Sequence, residues 1–323
     1  FHIGESLLPH SLPILQRLGV LPEVEKIGIT KYGAEIVSPY HGRSRTLYFS
    51  KALDGSQPFS YEVKRAEFDK ILIDNAVSKG VHVHEGVRAK RVEFRHDSTH
   101  LVQAEDRTGN AVGYEAKFVV DASGRDTFLS GQFGGKYRNP SHNSAAVFGH
   151  FEGVRRLPGK DEGNISIVWF DHGWWWIIPF KDGTTSVGAV CWPSYISTRK
   201  VPLEQFLWDT IALCAPVAER MAKATLIGQA YAAANYSYRR STMRGDGYLM
   251  VGDAFAFIDP VFSSGVHLAL NSATLGADVV DAYLRKSPEY QRHLQEFERS
   301  VRLGVKTYSW FIYHFTQPAF RNL

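Results

Sequence analysis

The chain has 323 residues, a formal charge of +4, and 44% hydrophobic and 22% charged side chains, the make-up of a soluble globular protein long enough for two domains. Its two cysteines, Cys191 and Cys214, exclude a disulfide scaffold and a cysteine-based zinc site, and the mild, scattered basic excess points away from nucleic acid. No apolar run approaches the roughly 20 residues of a membrane span, so no stable membrane insertion is expected, and so few cysteines fit a reducing cytoplasm. In chain order, a short helix is expected over 12–18, with Ser11 as cap and Gly19 as stop. Short β runs follow at Ala34–Val37, Thr46–Phe49 and Phe59–Val63 between Gly, Pro and Ser turns. Residues 65–79 carry Phe68, Ile71, Leu72 and Ala76 at helical spacing, and Val81-His-Val-His84 alternates as a strand.

Three further β runs are expected at 87–95, 99–106 and 111–120, joined by turns at His96-Asp97-Ser98 and Thr108-Gly109-Asn110. β character returns at Ala145–Phe151, Asn164–Phe170, Trp174–Pro179 and Thr184–Cys191. Helices near 202–213 and 216–224 precede a strand at Gly228–Tyr238. The pattern is α+β elements interleaved with an α/β core, in which two domains exchange chain more than once. Phe1-His-Ile-Gly-Glu-Ser6 reads as the middle of something, and Tyr308–Phe315 is a strongly apolar helical segment with little left to cover it. The expectation is an internal portion of a longer protein.

The richest stretch is Val251–Leu270. Residues 247–251 form a short apolar run that reads as a buried strand, and Gly252 allows a close turn at its end. Asp253 then presents a carboxylate beyond the strand's carboxyl end, where α/β sheets bind ligands. After Pro260, Ser263 or Ser264 can cap a helix from Gly265 to Leu284, whose first N–H groups suit an anion or an electron-rich ring edge. His82 and His84 have the spacing of a metal pair but lack a third ligand nearby, so no metal site is expected.

Taken together, Gly4-Glu5-Ser6, Asp121-Ala-Ser-Gly-Arg125 and Gly252-Asp253 through Ser264-Gly265-Val266 resemble the FAD-dependent monooxygenase superfamily over essentially the whole chain. Trp174-x-Trp176-x-Ile178-Pro179 and Thr30-Lys31-Tyr32-Gly33-Ala34 resemble its flavin-dependent halogenase (tryptophan-halogenase-like) branch. The resemblance implies an α/β fold with α+β character: a three-layer, Rossmann-like FAD-binding domain with a β-meander, interleaved with a mixed β-sheet substrate domain, and C-terminal helices. The FAD-binding domain is expected at 1–30, 63–136 and 240–285, the substrate domain at 31–62 and 137–239, and the start of a helical region at 286–323. The superfamily's opening Gly-x-Gly-x-x-Gly phosphate loop has no match here, which truncation explains better than divergence.

Carried over residue by residue, the resemblance implies FAD contacts from Glu5, Ser6, Arg65, Val87, Ala122, Ser123, Gly124, Gly252, Asp253, Pro260, Gly265 and Val266. A chloride or bromide is implied beside the amides of Ser264 and Gly265. Lys31 is implied as the catalytic amine that holds hypohalous acid, against the commoner fate of a solvated loop lysine. Trp174 and Trp176, on one strand face, with Ile178 and Pro179, are implied to wall the route between flavin and lysine, although three adjacent tryptophans also make a core. The implied activity is halogenation of an electron-rich aromatic ring with FADH2, oxygen and halide, the reduced flavin coming from a separate reductase. Free-tryptophan halogenases place a glutamate where this chain has Phe262, which points instead to a phenolic or pyrrolic substrate, free or on an acyl-carrier protein. Rival readings are a hydroxylase or geranylgeranyl-reductase-like oxidoreductase, and a non-catalytic binding or scaffold protein.

Overall fold

The computed structural model describes residues 3–317, apart from residue 54 and residues 97–98, 139–143 and 235–236. Asp97 and Ser98 of the expected turn therefore lie outside the described residues. The largest unit is a seven-stranded mixed sheet. From edge to edge its strands are Thr225–Ala234, Ala145–Glu152, Thr185–Cys191, Gly173–Pro179, Ile165–Phe170, Gly33–Ser38 and Arg43–Tyr48. Neighbours run antiparallel except Ile165–Phe170 against Gly33–Ser38, which is parallel.

Both faces of this sheet are covered, which is why its central strands read as unbroken apolar runs rather than alternating ones. Trp175 and Ile177 point to one side, with Phe151, Val168 and Val187, against Phe206, Leu207, Ile211, Val217 and Met221 of the helices Leu203–Ala212 and Ala215–Met221. Trp174, Trp176 and Ile178 point to the other, with Phe148, Ile165 and Trp169, against Ile258, Val261 and Ile312. Arg220 locks the helical layer to the sheet, donating to the buried Glu35 at 2.7 Å and to Ser166 Oγ at 2.7 Å.

A second assembly surrounds the parallel pair Val119–Asp121 and Tyr248–Met250. Beside it lies the antiparallel meander Arg88–Glu93, His100–Glu105 and Ala111–Ala116. The helices Ser264–Leu284 and Tyr290–Phe315 pack on this assembly through Val279, Leu294, Phe297 and Val301, which meet Leu249, Met250 and Val251. The fold is thus mixed α/β with mixed sheets and helices at the C-terminal end. Among the described residues no helix is long and apolar enough to cross a membrane.

Several local expectations need correction. Val81–His84 is not a strand; Val81 and Val83 are exposed and no described strand pairs with the segment, so its alternation has no sheet to serve. The helix Arg65–Ser78 forms, but Phe68 is its one buried residue, while Ile73 and Val77 lie exposed. The expected strand 228–238 begins earlier, at Thr225; Tyr238–Arg240 belongs to a separate three-stranded sheet.

Gly188 lets Phe148 and Trp176, its partners on the two flanking strands, close over it on one face of the sheet. A Cβ there would lie 2.3 Å from Trp176 Cζ2 and 2.5 Å from Phe148 Cβ, inside two rigid rings' packing rather than against a flexible chain end. Gly188→Ala is expected to cost about 1–3 kcal/mol, the usual range for overpacking a core. A lower midpoint in urea unfolding, with an unchanged slope, checks this.

Candidate active site

Three short segments, far apart in sequence, meet around one cavity of about 500 Å³. The first is Ile3–Ser6. The segment lies along the strand Ser60–Glu62, with Val63 N donating to Glu5 O at 2.8 Å and Leu7 N to Tyr61 O at 3.0 Å. Gly4 takes φ +100°, and a Cβ there would sit 2.7 Å from Arg65 Nη1. That close approach lets Arg65 donate to Ile3 O at 3.0 Å while its other nitrogens grip Asp69.

The second segment is the loop after Val119–Asp121. The buried Asp121 accepts from Ser123 N at 2.9 Å and from Leu129 N at 2.8 Å, so its carboxylate shapes the loop rather than facing the cavity. The third follows Tyr248–Met250, where Gly252 turns the chain at φ +55° and donates to Ser272 Oγ at 2.9 Å. Tyr238 Oη donates to Asp253 O at 2.7 Å, fixing the turn from the neighbouring strand. The long helix starts at Ser264, one residue earlier than expected. Its N-cap Ser263 is left-handed (φ 55°) and makes no side-chain cap, so the hydroxyl does not cover the first-turn amides.

Most of the sequence-derived residues converge here. Glu5, Ser6 and Arg65 line the cavity, with Ala122, Ser123 and Gly124 from the second segment. Gly252, Asp253, Pro260, Gly265 and Val266 line it from the third, and Trp174, Trp176 and Ile178 form a wall from the large sheet. Four residues lie off it. Val87 is half-buried just ahead of the meander, Pro179 is buried at the end of its strand, and Ser264 is buried behind the helix start. Lys31 sits one layer behind, touching the cavity through Ser6.

Lys31 is neither solvated nor on a loop. It ends the strand Ile29–Lys31, paired with Ser60–Glu62, and is 1% exposed. Its Nζ donates to Ser6 Oγ at 2.6 Å and Leu7 O at 3.3 Å, faces the Phe49 ring at 5.4 Å, and lies 3.7 Å from Glu62 Oε1. Burial pushes the amine below the ordinary lysine range, against the raising effect of Glu62. Burial likewise pushes the Glu62 carboxyl up to about 8, against the opposing charge of Lys31. Sequence reasoning missed Glu62, although an acid inside the buried run Phe59–Val63 was a readable signal. It also missed His150, whose Nε2 lies 2.7 Å from the buried Glu5 Oε1; 145 residues separate them, and no local pattern announces the pair.

Chemically, the cavity offers an apolar slab with a charged rim. Trp174, Trp176, Ile165 and Phe257 can sandwich or edge a planar ring, and Trp174 Nε1 is a buried donor with no partner among the described residues. Arg65 and Arg125 provide positive charge opposite Asp253.

The tryptophan halogenase family model matches residues 39–320. The chain belongs to the tryptophan-halogenase family. Its relatives include the 1H-pyrrole-2-carbonyl-[peptidyl-carrier protein] chlorinase of Pseudomonas fluorescens, 30% identical over 96% of this chain and 74% of that protein. The tryptophan 2-halogenase of Chondromyces crocatus is 34% identical over 88% of this chain; the chain spans 55% of its length. Among solved structures, the myxobacterial chondrochloren halogenase CndH, described as a variant of FAD-dependent halogenases, superposes with a TM-score of 0.92 at 34% identity, covering 98% of this chain and 75% of that one. The halogenase fold is thereby shown, with its mixed sheet and its nucleotide-type α/β unit.

Asp253 supplies a test of the cavity's electrostatics within this halogenase fold. Burial pushes its carboxyl up to about 6, against the lowering effect of Arg125 and Arg65. A raised carboxyl stabilises the folded chain below the unfolded value and loses that contribution as pH climbs to the folded value. Asp253→Asn is therefore expected to gain melting temperature relative to the wild type between about pH 4 and 6, with a constant gap above. A gap that does not change with pH would show Asp253 to be unperturbed.

Proposed function

We propose that this protein is a FAD-dependent halogenase acting on an electron-rich aromatic ring, phenolic or pyrrolic, presented on a peptidyl carrier protein. The observation that carries the reading is the placement of Lys31. It is a buried amine one side chain away from the cavity, hydrogen-bonded to Ser6, a residue of the cavity wall. A solvated lysine would serve no such chemistry. A desolvated one is a nucleophile or a strong hydrogen-bond donor at neutral pH.

The cavity suits FAD. The unpartnered Trp174 Nε1, the uncapped helix start at Ser264–Val266 and the cations Arg65 and Arg125 all favour an electron-rich, anionic guest. In this reading Arg65, Ala122–Gly124, Gly252 and Asp253 hold the cofactor, and Glu5, Ser6, Pro260, Gly265 and Val266 flank its ring. When bound there and reduced by a separate flavin reductase in the cytoplasm, the cofactor would supply the oxidation of halide by oxygen. The amides of Ser264 and Gly265 hold chloride or bromide. Trp174, Trp176 and Ile178 keep the aromatic substrate from the flavin, with Pro179 ending their strand off the cavity, so that the hypohalous acid alone travels to Lys31.

Carrier-bound pyrrole is favoured by the relatives named for it, the chlorinase above and a brominase of Pseudoalteromonas luteoviolacea, 32% identical over all of this chain. Phe262 agrees, since it packs at a tilt against Phe315 and brings no acid to that position. Free tryptophan is the second reading, favoured by the tryptophan 2-halogenase relative.

The deciving experiment is product analysis by mass spectrometry with FAD, a flavin reductase, NADH and bromide, over carrier-bound pyrrole, free phenols and free tryptophan. Lys31→Ala is expected to lower halogenated product by on the order of a hundredfold or more while leaving flavin absorbance in place. Retention of product by Lys31→Ala would remove the halogenase reading. Preferential turnover of free tryptophan would replace the substrate class alone.

A further inference from the structure

Lys31 and Glu62 form a buried pair whose geometry does not suit two charges. The Glu62 side chain is completely buried, and among the described residues neither of its carboxylate oxygens has a hydrogen-bond partner at ordinary geometry. Its separation from Lys31 Nζ, 3.7 Å, is close enough for an ion pair and too long for a hydrogen bond. A buried ion pair repays its desolvation only when good geometry and further hydrogen bonds satisfy both partners. Lys31 has such bonds, to Ser6 Oγ and Leu7 O, whereas Glu62 has only the nearby Ser6 hydroxyl and the Lys31 amine to favour its charged form, and their effect is smaller than that of burial.

The surroundings add to the pressure. From the segment before the first helix comes Glu5, 1% exposed and engaged by His150 of the large sheet at 2.7 Å, and its negative charge disfavours a second carboxylate nearby. From the Glu62 strand itself come the buried, neutral Ser60 and Tyr61, whose hydroxyl donates to Glu25 at 3.2 Å, and from the segment after Arg43–Tyr48 comes the Phe49 ring. No other charged group in these elements offsets a proton deficit at Glu62.

We propose that Lys31 and Glu62 share one proton as a neutral amine–carboxylic acid pair, and that Glu62 is the positioning residue that keeps Lys31 unprotonated and relays its proton during halogen transfer. The first half stands on the pair's geometry; the second rests on the halogenase reading. In the relay, the Lys31 nitrogen bonds to the halogen of hypohalous acid as the halogen–oxygen bond breaks. The oxygen leaves with the bonding electrons and takes the Glu62 proton to become water. The displaced N–H proton passes to the Glu62 carboxylate, leaving an N-halo amine and Glu62 again protonated. The halogen keeps its oxidation state, so no further oxidant is needed. Burial favours both neutral forms, lowering the amine and raising the carboxyl, in the same sense as the proposal.

The test uses the whole chain. With nitrogen-15 lysine, the Lys31 side-chain signal is assigned by its loss in Lys31→Met and followed with pH by NMR. Infrared difference spectra between the wild type and Glu62→Gln read the carboxyl. The expected result near neutral pH is an amine-type nitrogen shift together with a protonated-carboxyl band that Glu62→Gln lacks. An ammonium shift with a carboxylate band would overturn the pair. In the halogenation assay, Glu62→Gln is expected to lower kcat by about ten- to a hundredfold with KM unchanged, and to abolish the fall in rate above about pH 8. Glu62→Asp is expected to recover part of the rate and restore that fall. Unchanged kcat and pH profile in Glu62→Gln would overturn the relay. If the spectra hold but Lys31→Met still halogenates, the halogenase reading fails and the proton-sharing pair stands.

Discussion

One strand, Gly173–Pro179, carries the constraint on which the site depends. Because both faces of the large sheet are covered, its residues must be apolar on both sides, and three adjacent indoles satisfy that demand in opposite directions. Trp175 closes the helical layer; Trp174 and Trp176 close the cavity side. Bulk needed for the core therefore also serves as a wall. Gly188 on the next strand gives Trp176 its room, and Ser186 Oγ accepts a hydrogen bond from Trp176 Nε1 at 3.0 Å, so the ring is held in one orientation. A wall fixed by core packing does not yield readily, since moving it means reopening a dense interior.

The second constraint is electrostatic. The cavity region gathers buried ionisable side chains, and burial raises Glu62 and Asp253 while lowering Lys31. Each shift moves the group towards its neutral form. Such groups persist at a cost in stability, and perturbed groups of this kind concentrate where chemistry is done. Asp121 and Asp259 differ. Their buried carboxylates accept backbone N–H groups and hold turns, a structural use of the same side chain.

What was legible in the sequence was local. Asp121–Arg125 and Gly252-Asp253 each encode a tight turn in a few residues, and Gly4-Glu5-Ser6 is an equally compact motif, so their presence could be read although their meeting in space could not be derived from spacing. Strand alternation placed Trp174 and Trp176 on one face for the same reason. The failures are non-local or conformational. Val81–His84 has the alternation of a strand but no neighbour to pair with, and pairing is not written in the segment itself. Ser263 has the composition of a capping residue but a left-handed backbone that turns its hydroxyl away from the role. The contacts Lys31–Glu62 and Glu5–His150 join separate strands and segments, and only the folded chain brings them together.

The position of Lys31 follows from that folded arrangement, and it explains how wall and amine act together. Glu5–Leu7 pairs with Ser60–Glu62, which pairs in turn with Ile29–Lys31. The segment that lines the cavity is thus hydrogen-bonded to the strand that carries Glu62, and that strand fixes Lys31. Ser6 is the joint: the residue lines the cavity and its hydroxyl accepts from Lys31. In the proposed reading, an oxidised halogen small enough to pass the indole wall meets Ser6 and the amine, whereas an aromatic substrate meets only indole on the flavin side. Selection by size at the wall and capture by a neutral amine behind it are then two consequences of one continuous backbone pairing. Displacing Ser6 would alter the cavity lining and the amine's hydrogen bond at once, because both belong to one residue.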